Sequence, residues 1–202
     1  MNNKKKFNIA AERNKYHIYK VLKKFLTSEI NILEIASGSG QHMIYFANLF
    51  ENIKWQPSEI NSIAIESIKE YMKENINDNI YDPIILNAED TSWPKICPDA
   101  IIIINLFHIL PWENMNNFLK NISKLLKSNS LVFIYGPFLR KNILTCESNL
   151  NFDKRLKEIN SLWGIRKLEE IEKISNKFDL IIEKIIEMPS NNLGVIVKKQ
   201  SN

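Results

Sequence analysis

Glu34-Ile-Ala-Ser-Gly-Ser-Gly40 follows the apolar run Ile30-Asn-Ile-Leu33 and leads into Gln41-His-Met-Ile-Tyr-Phe46. A strand that ends in Gly-x-Gly and enters a helix suits a nucleotide. Gly38 and Gly40 let the backbone turn sharply and let a ligand approach where a Cβ would stand. The helix start offers unpaired N–H groups. Glu59 ends the next apolar segment, 19 residues after Gly40, where a carboxylate can accept both hydroxyls of a ribose. Met43 occupies the third glycine position of Gly-x-Gly-x-x-Gly. That glycine permits close helix–strand packing around a pyrophosphate, so its absence disfavours a dinucleotide. A ligand with ribose and adenine but no phosphate fits better. S-adenosylmethionine, with S-adenosylhomocysteine as product, is such a ligand.

These residues need elements to hold them. Residues 10 to about 28 read as a helix with Ile18, Leu22, Phe25 and Leu26 on one face. Strands are expected at 30–36, 53–56, 83–88, 100–106, 131–135, 180–186 and 193–198, and helices at 41–49, 60–75, 113–126 and 167–178. In the 60–75 helix, Ile63, Ile68 and Met72 are expected to face inward. The segment 136–163 has weak periodicity and reads as a long connection with one short helix. Strand–helix alternation closed by a terminal hairpin gives an α/β, Rossmann-like fold. It has a mostly parallel seven-stranded sheet, helices on both faces and a C-terminal antiparallel hairpin, in a single domain over 1–202.

In open α/β sheets the ligand lies beyond the carboxyl ends of the strands. The cofactor candidates are therefore Glu34, Ser37, Gly38, Gly40, Glu59, Asn87, Ala88, Asn105 and Leu106. Asn87 offers adenine an amide, although a strand-end turn explains it nearly as well. Asn105 and Leu106 end the fourth strand, where donor and acceptor would meet. Methyl transfer to an acceptor is mainly a matter of positioning, with a general base needed only for a protonated, poorly nucleophilic acceptor. His108, just past the fourth strand, is the candidate base, since an unperturbed imidazole titrates near neutrality; a structural role at the Pro111-Trp112 turn is an equal alternative. Tyr135, ending the fifth strand, is a base, an orienting hydroxyl or a packing aromatic.

The remaining sequence narrows the partners. The net charge of +4, from 27 basic and 23 acidic residues, is spread along the chain, unlike the concentrated basic face of a nucleic-acid binder. The one tight cluster, Lys4-Lys5-Lys6, reads as a solvated tail. Cys97 and Cys146 match no metal or CxxC spacing, and three scattered histidines without paired carboxylates give no metal signature. No apolar leader follows Lys6, and the longest apolar run, Ala100–Ile104, is too short to span a bilayer. A reduced, cytoplasmic protein acting on a small molecule is expected; oligomeric state is left open.

Several segments together resemble the family of small methyltransferase-like proteins typified by methyltransferase-like protein 26. They are Ala11-Glu-Arg-Asn-Lys15, Leu33-Glu-Ile-Ala-Ser-Gly-Ser-Gly-Gln-His42, Trp55-Gln-Pro-Ser58, Asn105-Leu-Phe-His-Ile109 with Pro111-Trp112, Tyr135-Gly-Pro-Phe138, Ser148-Asn-Leu-Asn-Phe-Asp153, Trp163-Gly-Ile-Arg166 and Met188-Pro-Ser-Asn-Asn192. The resemblance spans nearly the whole chain and implies the class I S-adenosylmethionine-dependent fold, without supplying a substrate. It raises Arg13 as a clasp for the carboxylate of the cofactor or of an acidic acceptor, over simple solvation. Asn14, Ser148, Asn149, Asp153, Arg166 and Asn192 become candidate substrate contacts. The chain departs from the family at Leu86-Asn87-Ala88, where relatives read Leu-Asp-Val, so Glu89 or Asp90 could take over the adenine contact. It also has Lys157 where relatives have Arg. The leading expectation is a methyltransferase, with a non-catalytic cofactor-binding or interaction module as the alternative. Aminopropyl transfer would need paired acids at the fourth strand end, which are not evident.

Overall fold

The computed structural model describes residues 4–27 and 29–201. The chain divides into two compact units, Met1–Asn87 with Pro98–Ile102, and Ala88–Cys97 with Ile103–Asn202. The ends of the expected 1–202 domain and the expected helix end near residue 28 lie outside the described residues.

The first unit runs α1 (Ile9–Leu22), β1 (Asn31–Ile35), α2 (Gln41–Leu49), β2 (Lys54–Glu59), α3 (Ser62–Met72) and β3 (Ile84–Ile85). β1 pairs with β2 in parallel from Asn31↔Lys54 to Glu34↔Pro57, and β2 with β3 at Ser58↔Ile84 and Glu59↔Ile85. β1 is buried at all positions after Asn31, as befits a strand covered on both faces. β2 is longer than its apolar pattern suggested, and β3 shrinks to two residues. α1 starts where the Asn8 carboxamide accepts from Ala10 and Ala11 N–H, at 2.8 and 3.3 Å. It ends at Leu22, well short of the expected end, because Lys24 and Phe25 bond three residues back, to Val21 and Leu22. Leu26, the last residue of the apolar stripe, is buried from this turn instead. Asn61 caps α3 through Ile63 and Ala64 N–H. Ala64, Ser67 and Ile68 are buried, while Ile63, expected to face inward, is 59% exposed. Met72 is partly buried against Met43, Ile44 and Ile68.

The second unit carries α4 (Met115–Leu125), entered through a 3-10 turn at Trp112–Asn114, β5 (Leu131–Gly136), β6 (Phe138–Leu139), α5 (Glu147–Ile159), β7 (Arg166–Lys167), α6 (Leu168–Ser175), β8 (Leu180–Met188) and β9 (Asn192–Lys199). β4 (Ala100–Ile104), buried throughout, falls partly in each unit. The seven-stranded sheet has the order β3-β2-β1-β4-β5-β9-β8 and is mostly parallel, closing in the expected antiparallel pair β8–β9. β9 also runs antiparallel to β5, from Leu131↔Lys198 to Gly136↔Leu193. The long connection expected after β5, with one short helix, holds more regular structure than that. α5 is a 13-residue helix, and β6 and β7 form a separate two-stranded parallel sheet. α5 buries only Asn149 and Leu156, so it lacks the apolar stripe by which a helix is read from sequence.

No helix among the described residues is long and apolar enough to cross a membrane. Neither cysteine is in a disulfide.

Candidate active site

The glycine loop of the first unit is wound by left-handed residues at alternate positions: Ala36 (φ 56°), Gly38 (φ 58°) and Gly40 (φ 90°). A left-handed alanine costs about 1–2 kcal/mol, and strain of this kind gathers where surrounding structure holds a functional loop. The loop is pinned to β2. Ser37 N–H donates to the Ser58 carbonyl at 2.9 Å, and the Ser58 hydroxyl donates to the Glu34 carbonyl at 2.8 Å. The two glycines have different reasons. A Cβ on Gly40 would stand 3.0 Å from Ile68 Cα, so Gly40 lets α2 start directly against α3. A Cβ on Gly38 would meet nothing nearer than the Ala36 carbonyl at 4.0 Å. Gly38 instead lines a cleft of about 490 Å³, together with Ser39, Glu59, Asn61, Ala64 and the segment Lys6–Ile9.

Glu59 is buried at the rim of that cleft. Its Oε2 accepts from Gly38 N–H at 2.9 Å, and its Oε1 from Ile60 and Asn61 N–H at 2.8 and 3.2 Å. A carboxylate has about four acceptor positions, so one remains, on Oε2. The carboxylate thus ties the loop to the start of α3 and has one acceptor position left. A two-hydroxyl grip on ribose would require it to release a backbone donor.

Glu34, at the end of β1, is 2% exposed and its Oε2 is without a hydrogen-bond partner. Burial pushes its carboxyl up to about 8, with the Ser37 hydroxyl working the other way and the nearby Glu59 charge adding to the rise. Asn14 is committed locally, because its Oδ1 lies 2.6 Å from His42 Nε2. His42 is buried and stacks on Phe46. Burial brings its imidazole down to about 4, with Lys15 adding and Glu12 opposing. Arg13 is exposed on α1, and Asn87 is half-buried beyond β3.

In the second unit, Asn105 follows β4 in a left-handed conformation (φ 57°), with its N–H donating to the Tyr135 carbonyl at 2.8 Å. Tyr135, Leu106 and His108 are all buried, and Ala88 is half-buried. The His108 ring packs edge-on against Phe152 at 5.3 Å. Burial, and then the Arg166 charge, brings this imidazole down to about 4. It is therefore neutral at pH 7 and a weaker base than the unperturbed histidine the sequence suggested.

Arg166 braces the turn that carries His108. Its Nη2 donates to the Leu110 and Leu162 carbonyls, both at 2.7 Å, and its Nε to the Phe107 carbonyl at 3.2 Å. Asp153 accepts from Ile165 N–H at 2.7 Å and pairs with Lys157. Asn149 donates to the Asn191 carbonyl, Ser148 accepts from the Asn191 amide, and Asn192 donates to the Pro189 and Ser190 carbonyls. Every candidate substrate residue of this unit thus has a backbone or side-chain partner within the chain. Arg166→Lys tests the brace. A lysine keeps the charge but cannot span three carbonyls, so the variant should lose about 1–3 kcal/mol in denaturant unfolding. An unchanged unfolding midpoint would show that the turn holds without the fork.

A family model for a protein of unknown function, DUF938, matches residues 5–199. The chain belongs to the DUF938 family. Among solved structures, this DUF938 chain is similar to the mitomycin 7-O-methyltransferase MmcR at 15% identity and a TM-score of 0.79, with 93% of this chain and 54% of that one covered. It is similar to an O-methyltransferase family protein from Burkholderia thailandensis at 10% identity and a TM-score of 0.80, covering 96% and 58%. Human N-acetylserotonin methyltransferase, solved in complex with S-adenosylmethionine, aligns at 12% identity and a TM-score of 0.76, covering 95% and 53%. The chain spans little more than half the length of these three. The likeness shows the Rossmann-like methyltransferase fold.

Three features of the first unit escaped the sequence reading. Lys4-Lys5-Lys6, expected to be a solvated tail, lies along α3: Lys4 pairs with Glu66 at 3.3 Å, Lys5 pairs with Glu74, and Lys6 N–H donates to Ser67 Oγ at 2.8 Å. The other two are the buried Gln41 and Ser67. Polar residues inside apolar-patterned helices were a visible signal, but their partners, Lys6 and Asn8, lie 61 and 33 residues away.

Proposed function

We propose that this chain is an S-adenosylmethionine-dependent methyltransferase for a small-molecule acceptor, of the kind typified by methyltransferase-like protein 26. The observation that carries the reading is the cleft in which Gly38, open above its Cα, and Glu59, with one acceptor position left, face the same space. Its volume falls in the range of small-ligand sites. The loop backbone and Glu59 would hold the ribose, and Asn87 and Ala88 the adenine. Glu34, Arg13, Asn105 and Leu106 are the further cofactor candidates. The bound cofactor supplies an activated methyl group on a sulfonium.

The chain's own task is then orientation and exclusion of water. His108 is kept neutral and can accept a proton from an acceptor, with Tyr135 as a second candidate. Arg166, Asp153 and Asn149 would act by holding the backbone that shapes the acceptor side, alongside Asn14, Ser148 and Asn192. A cytoplasmic setting belongs to the same reading and rests on the two unpaired cysteines. The small-molecule acceptor rests on the even spread of charge.

Calorimetric titration with S-adenosylhomocysteine tests the cofactor. Wild type should bind, and Glu59→Gln should weaken binding at least tenfold, about 1.4 kcal/mol. A folded wild-type protein that binds neither S-adenosylhomocysteine nor S-adenosylmethionine would overturn the reading. One observation favours the alternative of a non-catalytic cofactor-binding module: His108 is poorly basic and the other polar candidates of its unit are already partnered. Transfer of a labelled methyl group into a small-molecule extract separates the two, since a single labelled product removes the module reading.

A further inference from the structure

Ser39, in the middle of the glycine loop, is held at two atoms. Its hydroxyl donates to Gln41 Oε1 at 3.1 Å, and its carbonyl accepts from the Ser67 hydroxyl at 2.8 Å. Each of these partners also holds the N-terminal segment. Gln41 Oε1 accepts from Asn8 N–H, and Ser67 Oγ accepts from Lys6 N–H at 2.8 Å. The gripped N–H groups are two residues apart, as successive donors on one edge of an extended chain are. Gln41 is 5% exposed and Ser67 fully buried, and unpaired polar groups in such positions are costly. The Gln41 amide nitrogen is directed at Glu12 Oε2, 3.4 Å away.

The segment buries neither of its own apolar side chains. Phe7 and Ile9 are 66% and 65% exposed although both line the cleft. The outer contacts are the exposed pair Lys4–Glu66, the pair of half-buried Lys5 with Glu74, the Lys5 ammonium over the Tyr71 ring at 4.9 Å and the Tyr71 hydroxyl donating to the Lys6 carbonyl at 3.2 Å; polar contacts this near the surface add little each. A segment held by a few polar contacts sits at the low-stability end of a structure, and a ligand against Phe7 and Ile9 would bury apolar surface that now faces water.

We propose that Gln41 and Ser67 are positioning residues that couple the wall Lys6–Ile9 to the glycine loop, so that a ligand in the cleft and this wall order each other. The inference rests on the proposed function only for the identity of the ligand; the coupling belongs to the protein by itself.

Trypsin reports the wall, because Lys4, Lys5 and Lys6 are cleavage sites beside it. The full-length chain is digested with and without saturating S-adenosylhomocysteine, and the same ligand is titrated by calorimetry. Gln41→Leu and Ser67→Ala should each speed loss of the N-terminal peptide at least fivefold without ligand and weaken S-adenosylhomocysteine about tenfold. Ligand should slow cleavage strongly in wild type and weakly in the variants. The double variant should cost less in binding than the sum of the two, as residues of one network do. Ser67→Ala removes a single oxygen and keeps the test decisive if Gln41→Leu does not fold. Cleavage within twofold of wild type in a folded variant overturns the coupling, as does faster cleavage with unchanged affinity. If wild type itself binds no S-adenosylhomocysteine, the cofactor reading fails, and the ligand-free cleavage rates still decide whether the wall is latched.

Discussion

Raising the pH from 5 to 8 should destabilise the wild-type protein relative to Glu34→Gln by up to about 1.4 kcal/mol per pH unit. Glu34 is the next-to-last residue of β1, 2% exposed, with one carboxyl oxygen unpartnered. Burial raises its folded value to about 8 from an ordinary 4.5. The native protein therefore keeps this proton where the unfolded chain has released it. The contribution to stability is complete below the unfolded value, declines as the pH rises through the window between the two, and is gone above the folded value. The accumulated difference is on the order of several kcal/mol, large against the marginal stability of most domains. Glutamine mimics the protonated acid in shape and cannot ionise, so the variant lacks this slope whatever its absolute stability. Urea unfolding of both proteins at intervals between pH 4.5 and 9 checks it, and parallel curves would show that Glu34 ionises as an ordinary surface acid does. The sign is opposite to that of an ion-paired carboxylate, because burial opposes the Glu34 charge and its charged neighbour is Glu59.

The two glycines of the loop should fail in different ways when changed to alanine. Gly40→Ala should cost about 2–4 kcal/mol of stability. The new methyl would meet Ile68 Cα at 3.0 Å and Cγ1 at 3.2 Å, at a φ of 90°. Backbone on the facing helix cannot step aside as a flexible side chain can, so α2 and α3 would have to separate. Gly38→Ala should cost only about 1–2 kcal/mol, the left-handed penalty alone, because no atom comes closer than 4.0 Å. That methyl would project into space bordering the cleft, so S-adenosylhomocysteine binding should drop by tenfold or more in a protein that still folds. Thermal melts with calorimetry on both variants separate the effects. Equal loss of stability with equal loss of binding would mean that the glycines share one role. The contrast separates what surrounds the two glycines: Gly38 borders the cleft with open space above its Cα, while Gly40 stands against Ile68 of α3.

The path from β1 through the loop and α2 to Glu59 was legible in the sequence because each step is local. Alternation of apolar runs marked the strands, Gly-x-Gly marked the turn, and the spacing to Glu59 followed from one strand–helix–strand unit. α2 runs from Gln41 to Leu49 as its pattern indicated, and the C-terminal strands pair as the antiparallel hairpin expected of them. α5 is longer than the one short helix expected between 136 and 163, and its bounds were not legible because a helix that buries two residues writes no periodic stripe. Ile63 was misplaced because it lies five residues before Ile68, about 140° away around a helix of 3.6 residues per turn, so burial of Ile68 turns Ile63 outward.

What the sequence determined by itself was the order of the seven main-sheet strands, the loop and the carboxylate beside it, since these depend on neighbours along the chain. Only the tertiary structure decided what the polar side chains do. Arg166 reaches back 56 and 59 residues to the carbonyls of Leu110 and Phe107, and Ser67 joins Lys6 to the loop from a helix 61 residues on. Burial, which takes His108 down and Glu34 up, likewise depends on the packed surroundings of each group and not on residue type. Patterns of hydropathy and glycine encode local geometry; hydrogen-bond partners and the dielectric around a charge exist only once distant segments have met.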